Sequence, residues 1–229
     1  MQDSLDQAIL ARIRQLIKLI DDKPTTYTDA ASYAIAGCID VETTGLSPNN
    51  DEVIELAIVL FAFDKQTGEI VEVLDEYTGL REPACAISRR AYEVHGLSKE
   101  QLRGKKLDET KIVSMLQKAE VVISHNARFD YSFVAPLFAI AGTKPWYCSM
   151  NGINWRRKGF VSKGLQNLLA DHDIETTRAH RALDDVRAII SLLGKCNQDG
   201  EPYLKELIQG RPFIGKAYSE IAVNIKPDL

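Results

Sequence analysis

The stretch Tyr33-Ala34-Ile35-Ala36-Gly37-Cys38-Ile39-Asp40-Val41-Glu42-Thr43-Thr44-Gly45 decides the fold. Residues 33–39 are apolar and partly β-branched, which predicts a central strand that delivers Asp40 at its end. Side chains at i and i+2 share one face of a strand, so Asp40 and Glu42 project together. Alone, the pair reads first as two solvated carboxylates entering a turn. Two later clusters change that reading: His125-Asn-Ala-Arg-Phe-Asp130 follows the apolar run Val121–Ser124, and His180-Arg-Ala-Leu-Asp-Asp185 opens a helical stripe of Leu183, Val186, Ile189, Ile190 and Leu193.

Outward from this stretch, 53–63 and 70–78 read as two further strands, joined by Asp64-Lys-Gln-Thr-Gly68, which has hairpin-turn composition. A short helix is expected from Ser88 into Val94-His95-Gly96, a second over 108–119, then a buried strand over 121–124. The pattern continues with a helix over 131–141 despite Pro136, an extended piece from Pro145 to about Ser149, helices over 163–171 and 182–195, and one near 203–209. A meander followed by alternating helices and strands implies an α/β fold, a mixed five-stranded sheet with helices on both faces. Ahead of it, Leu5, Ile9, Ile13, Leu16, Ile17 and Ile20 recur at helical spacing after the Ser4-x-x-Gln7 capping box. The expected organisation is therefore an amphipathic helix and linker over 1–32, a catalytic domain over 33–196, and a tail with a short helix over 197–229.

At 229 residues and 45% hydrophobic composition, one domain with appendages is the natural outcome. Cys38, Cys85, Cys148 and Cys196 form no CxxC pair, which disfavours a zinc site or disulfide framework and fits a reducing cytoplasm. No apolar run approaches membrane-spanning length. The net charge of −4 gives no general attraction to a polyanion, because nonspecific nucleic-acid binding comes from clustered Lys and Arg. Nucleic acid must be gripped locally, at Arg89-Arg90, around Arg103 and Lys105, at Arg128, or at Arg156-Arg157-Lys158 with Lys163. Each of these also reads as an ordinary solvated face.

Four carboxylates meeting without cations would repel and raise one another's pKa values. Convergence of Asp40, Glu42, Asp130 and Asp185 therefore predicts metal, and an all-oxygen set suits Mg²⁺ or Mn²⁺ better than Zn²⁺. Two such ions clamp the attacking and leaving oxygens of an in-line phosphoryl displacement. His180 stands five positions before Asp185, about 140° around an ideal helix, which places it on the loop ahead of that helix. An imidazole, titrating near about 6.5, can take a proton from water at neutral pH. Capping or loop packing is the plain alternative. His172, at a predicted helix end, reads as structural.

The ordered set resembles the DEDDh family of 3′–5′ exonucleases, whose ribonuclease H-like domain is shared with the proofreading epsilon subunit of bacterial replicative polymerase. The match runs from Tyr33 to Cys196. The resemblance implies that Asp40, Glu42, Asp130 and Asp185 bind two Mg²⁺ or Mn²⁺ ions and that His180 is the general base. It further implies that the Thr43-Thr44-Gly45-Leu46 loop receives the terminal nucleotide, with Leu46 on the base, and that His95, Asn126 and Phe129 contact substrate. Phe129 reads equally as a core residue orienting Asp130. The expected reaction releases nucleoside 5′-monophosphates from single-stranded or frayed 3′ ends, because the last base must enter a pocket. Two other readings are a proofreading subunit of a polymerase complex and a catalytically silent nuclease-fold module. Expected partners are a nucleic-acid 3′ end and no membrane. The N-terminal helix either contacts a polymerase or a second copy or packs on its own domain. DNA against RNA turns on a single 2′ hydroxyl that no motif here addresses.

Overall fold

The computed structural model describes residues 32–175 and 180–213. The expected N-terminal helix and the end of the tail lie outside the described residues. The chain divides between Ser32 and Tyr33, and every element below belongs to the unit beginning at Tyr33.

Three long strands come first, β1 (Tyr33–Thr43), β2 (Val53–Asp64) and β3 (Ile70–Leu80). They form the expected antiparallel meander. At the β2–β3 turn, Asp64 Oδ1 accepts the amides of Gln66 and Thr67 at 2.7 and 2.8 Å, and Gly68 adopts φ +72°, a conformation that glycine takes without steric cost. β4 (Val121–Ser124) and β5 (Trp146–Cys148) add in parallel on the other side of β1. The sheet order is β3-β2-β1-β4-β5. The chain thus builds the α/β mixed five-stranded sheet that its sequence implies.

Helices α1 (Arg89–His95), α2 (Lys99–Leu102) and α3 (Glu109–Lys118) precede β4. Ser88 and Asp108 cap α1 and α3 by accepting the amides of Ala91 and Lys111. After β4 come α4 (Ala127–Leu137) and α5 (Ala139–Gly142). Here the structure corrects the helix expected over 131–141: it starts at Ala127, and Phe138 is non-helical at φ −129°. Pro136 offers no N–H and crowds the preceding turn, so the helix stops soon after it. Asp130 consequently lies in a first helical turn. The remaining elements are α6 (Ser149–Gly152), a 3₁₀ turn (Trp155–Lys158), α7 (Leu165–Asp171), α8 (Ala182–Leu193) and α9 (Tyr203–Gln209).

Strand alternation sorts the core into two layers. Ala34, Ala36 and Cys38 of β1 with Ala57, Val59, Phe61 and Phe63 of β2 pack with α7, α8 and α9. Ile39, Val41, Leu56, Ile58 and Leu60 pack with α3 and α4 on the opposite face. The small β1 residues on the first face let α8 lie close to the sheet, since bulk there would push the helix away. Tyr203, Leu204 and Leu207 of α9 join this core, which therefore continues beyond Cys196. His172 is structural, held between the Leu168 carbonyl and the Tyr203 hydroxyl and stacked on Phe160. All four cysteines are free thiols. Among the described residues no helix is long and apolar enough to cross a membrane.

Leu192 of α8 is wholly buried in the first layer, whereas Ser191 beside it is exposed. Leu192→Ala will lower the unfolding free energy by about 2–5 kcal/mol in urea titrations, through lost burial and a residual cavity. Ser191→Ala will change it by less than about 0.5 kcal/mol.

Candidate active site

Asp40 and Glu42 continue the parity of Cys38, so they point to the α8 side of the sheet. Ala57 stands opposite Asp40 in the β1–β2 register and leaves room beside it. β1 and β4 run parallel, so their carboxyl ends open at one edge, where ligand crevices form in open α/β sheets. From that edge α4 contributes Asp130 and α8 contributes Asp185, each in a first helical turn. Asp40, Glu42, Asp130, Asp185 and His180 all line one cleft of about 390 Å³ with Asn126 and Phe129. The structure therefore gathers every residue expected to hold metal or act as base.

Hydrogen bonds fix the deeper carboxylates. The Ser124 hydroxyl donates to Asp130 Oδ2 at 2.5 Å. Gln166 donates its amide to Asp185 Oδ1 at 3.1 Å, while the His180 backbone N–H donates to Asp185 Oδ2 at 3.0 Å. Asp130 and Asp185 are only 2% and 5% exposed. Burial and the charges of Asp130, Glu42 and Asp185 hold the Asp40 carboxyl well above the ordinary carboxylate range. Burial, then Asp185, Glu55 and Asp130, push Glu42 up to about 8. Burial raises Asp130 to about 7 against the opposing Ser124 hydrogen bond, and raises Asp185 against the pull of His180. Mutual repulsion in a dry cleft is what a divalent cation relieves, and an oxygen donor set without thiols fits a hard one.

Glu42, Asp185 and His180 form the tightest donor group, each offering an atom within 4.8 Å of the others. His180 sits ahead of α8, as its spacing implied, in a left-handed conformation at φ +63°. For a residue with a Cβ that costs about 1–3 kcal/mol and persists only where the surroundings impose it. The surroundings here include Arg181, whose guanidinium grips Glu55 with Nε at 3.1 Å and Nη2 at 2.8 Å. Glu55, Arg181, Gln166 and Ser124 are the residues that sequence reading did not single out. Glu55 alone had a readable signal: in an antiparallel meander it falls opposite Glu42.

A sequence profile described as exonuclease matches residues 38–193. The chain belongs to the exonuclease family. It is 32% identical over 176 residues to the PolC-type DNA polymerase III of Thermotoga petrophila, a match covering 71% of this chain and 12% of that one. The chain thus spans about an eighth of the length of that curated relative. Among solved structures, a 3′-exonuclease described as recognising the 3′ end of a histone mRNA stem-loop superposes with TM-score 0.59 at 16% identity, over 93% of this chain and 76% of that one. Escherichia coli exonuclease I in complex with a dT13 oligonucleotide superposes with TM-score 0.54 at 20% identity, over 69% and 40%. The sheet and its helices are those of the ribonuclease H-like exonucleases, and the DEDDh resemblance stands on that membership.

Within this exonuclease domain the residues expected to touch substrate divide into two groups. Asn126 is exposed in the cleft, and Phe129 lines it while packing on Phe133 with ring centroids 5.0 Å apart. Phe129 therefore serves cleft and core together. Thr43, Thr44, Gly45, Leu46 and His95 lie outside the cleft lining. Thr44 is fully buried: its N–H donates to the Glu52 carbonyl, its carbonyl accepts from Ser88, and its hydroxyl donates to Asp51 at 3.0 Å. Thr44's polar groups are thus engaged inside the fold. Thr43 is buried likewise, its hydroxyl donating to the Gly45 carbonyl at 2.5 Å. Gly45 is required by space, since a Cβ there would stand 2.6 Å from the Asp51 carboxylate. Leu46, 74% exposed, remains available to a base. His95 is buried, accepts the Leu97 amide at Nδ1, and has an Nε2 with no hydrogen-bond partner among the described residues. Burial lowers its pKa, and with Nδ1 accepting, the neutral ring's N–H is at Nε2.

His125, beside Asn126, is tied to the Ser149 hydroxyl and the Lys163 carbonyl. Burial lowers its pKa to about 4, so it stays neutral while it fixes the cleft wall.

Carboxyl groups whose folded-state pKa is raised favour folding at low pH, and that contribution is lost as pH rises through the folded value. The metal-free exonuclease domain will therefore lose thermal stability between about pH 4.5 and pH 8, the interval from ordinary Glu to raised Glu42. Melting curves in EDTA will show the fall. Mg²⁺ or Mn²⁺ will flatten it, and Asp40→Asn will reduce it without added metal.

Proposed function

We propose that the domain is a 3′–5′ exonuclease that removes nucleoside 5′-monophosphates from single-stranded or frayed 3′ ends. The observation that carries this reading is the convergence of Asp40, Glu42, Asp130, Asp185 and His180 on one cleft. Asp40, Glu42, Asp130 and Asp185 would hold two Mg²⁺ or Mn²⁺ ions. When bound, these supply the positive charge that offsets the attacked phosphate and the departing oxygen.

The chain's own residues account for the rest. His180 takes the proton from the attacking water at a ring nitrogen, which lies within 4.8 Å of Glu42 and Asp185 oxygens. The water oxygen joins phosphorus, and the bond from phosphorus to the preceding nucleotide's 3′ oxygen breaks. One product is a nucleoside 5′-monophosphate, and the other is a chain whose departing 3′ oxygen takes a proton from solvent to become a new 3′ hydroxyl. Phe129 offers an aromatic face to the last base and Leu46 an apolar one, worth about 1–3 kcal/mol for an aromatic stack. A paired base cannot reach them without fraying, which supports the preference for single strands.

DNA is favoured over RNA because a relative at 32% identity is a DNA polymerase. Association with a polymerase, or a dimer through the N-terminal segment, is the partner reading that accompanies it, and copurification with a polymerase together with light scattering tests both.

Single-stranded DNA and RNA labelled at either end, incubated with Mg²⁺, Mn²⁺ or EDTA, test the activity. The 3′ label will leave first as mononucleotide, and EDTA or Asp40→Ala will abolish release. His180→Ala will lower kcat about 10²- to 10⁴-fold. Internal cleavage products, or intact ends with both metals, would overturn the reading.

A further inference from the structure

We propose that Glu55 and Arg181 form a latch that sets the position of His180, acting as positioning residues outside the reacting atoms. The inference rests on His180 being the base of the proposed reaction. Its starting point is an asymmetry: His180 is exposed and left-handed, yet its own N–H and the two residues that follow it are tied down by hydrogen bonds.

One hold is local, the His180 N–H on Asp185 Oδ2 at 3.0 Å, and it belongs to the helix that His180 precedes. The second reaches across the fold. Arg181, 126 positions from Glu55 in sequence, meets both carboxylate oxygens in a bidentate fork. Such a fork fixes orientation as well as distance. The Ala182 amide adds a contact of 3.4 Å to Glu55 Oε2. The N-cap position of α8 has no side-chain cap of its own, so a carboxylate from β2 serves the first turn instead. Two consecutive residues, Arg181 and Ala182, are thereby fastened to one atom group on the sheet.

Glu55 is only 2% exposed, which makes Arg181 indispensable to it, because an unpaired buried carboxylate is strongly disfavoured. Its place in the sheet gives the latch its purpose. Glu55 pairs directly with Glu42 across β1 and β2, so the two share a face on the same rung. Glu42 turns to the cleft and stands within 4.8 Å of the His180 ring, while Glu55 turns to Arg181. One rung of the sheet therefore sets both ends of the distance between the base and a carboxylate that faces it. Arg181 also keeps Glu55 neutralised, so that the cleft does not acquire a fifth uncompensated negative charge.

A merely structural pair would staple α8 to the sheet and affect stability alone. The two cases separate in a double-mutant cycle on the full chain, with a single-stranded oligonucleotide and Mn²⁺. Arg181→Lys keeps the charge and loses the fork. The latch predicts that it lowers kcat about 10- to 100-fold, as misplacement of a catalytic group does, with KM and the half-saturating Mn²⁺ concentration within about twofold. In a His180→Ala background the same substitution will change the residual kcat by less than about twofold, because no ring remains to be positioned. Glu55→Gln gives a second, isosteric route to the same cycle if Arg181→Lys does not fold.

An equal loss in both backgrounds, an unchanged kcat with a lowered melting temperature, or a shift confined to Mn²⁺ affinity would each overturn the latch while leaving His180 as base. Full activity of His180→Ala would instead remove the base reading, and the latch with it.

Discussion

Carboxylates at close quarters repel, and the architecture around this cleft is organised by that fact. Asp130 and Asp185 are nearly sealed from water, and their neighbours Asp40 and Glu42 share the same low-dielectric space. Left to themselves such groups keep their protons. The fold holds them together anyway, because three separate rigid elements deliver them. A strand presents two by its alternation, and two helices contribute one each from their first turns. Helix N-termini carry partial positive charge, which offsets part of the repulsion at Asp130 and Asp185. The remainder is the driving force for cation binding.

The delivery depends on the close approach of α8 to β1. Ala34, Ala36 and Cys38 are small, and they form the floor on which Val186, Ile189 and Leu193 rest. The same parity that gives small residues to the first half of β1 gives Asp40 and Glu42 to the second half. Packing and chemistry are thus written in one alternation, and a one-residue slip of β1 would move both carboxylates to the wrong face. The β1–β2 register, continuous from Tyr33–Asp64 to Glu42–Glu55, guards against that slip.

This explains what could be read from the sequence. Asp40 and Glu42 were legible because strand parity is local, and Asp185 because a strong helical stripe follows it. The placement of His180 followed from an angle: five residues carry it off the face of Asp185, so it had to precede the helix. Asp130 was found by its motif but assigned to the wrong local structure, since the helix start at Ala127 is set by β4 ending against the cleft and leaves little signature of its own. The burial of Thr44 was not legible, because it arises from Asp51, Glu52 and Ser88, contacts made only after the loop closes. Glu55 lay within an unbroken apolar run, where a single acid is easily passed over, and its meaning emerges only when β2 is laid beside β1. Short helices such as α2 and α6 span one turn and offer no period to detect.

The site is also graded from dry to wet, and the grading suits its proposed chemistry. Carboxylates that grip cations gain from exclusion of water, because every electrostatic interaction strengthens as the local dielectric falls. A base has the opposite need. After each turnover the imidazole must return its proton to solvent, and a ring sealed inside the protein would do so slowly or not at all. Asp130 and Asp185 at the buried end and His180 at the exposed end meet both demands within one cleft. An exposed base, however, has less packing to restrain it than a buried side chain has. Restraint must then come through the backbone, from residues next in the chain whose side chains reach into the interior. Arg181 is such a residue, and its reach to a buried acid on β2 reconciles an exposed position with a fixed geometry.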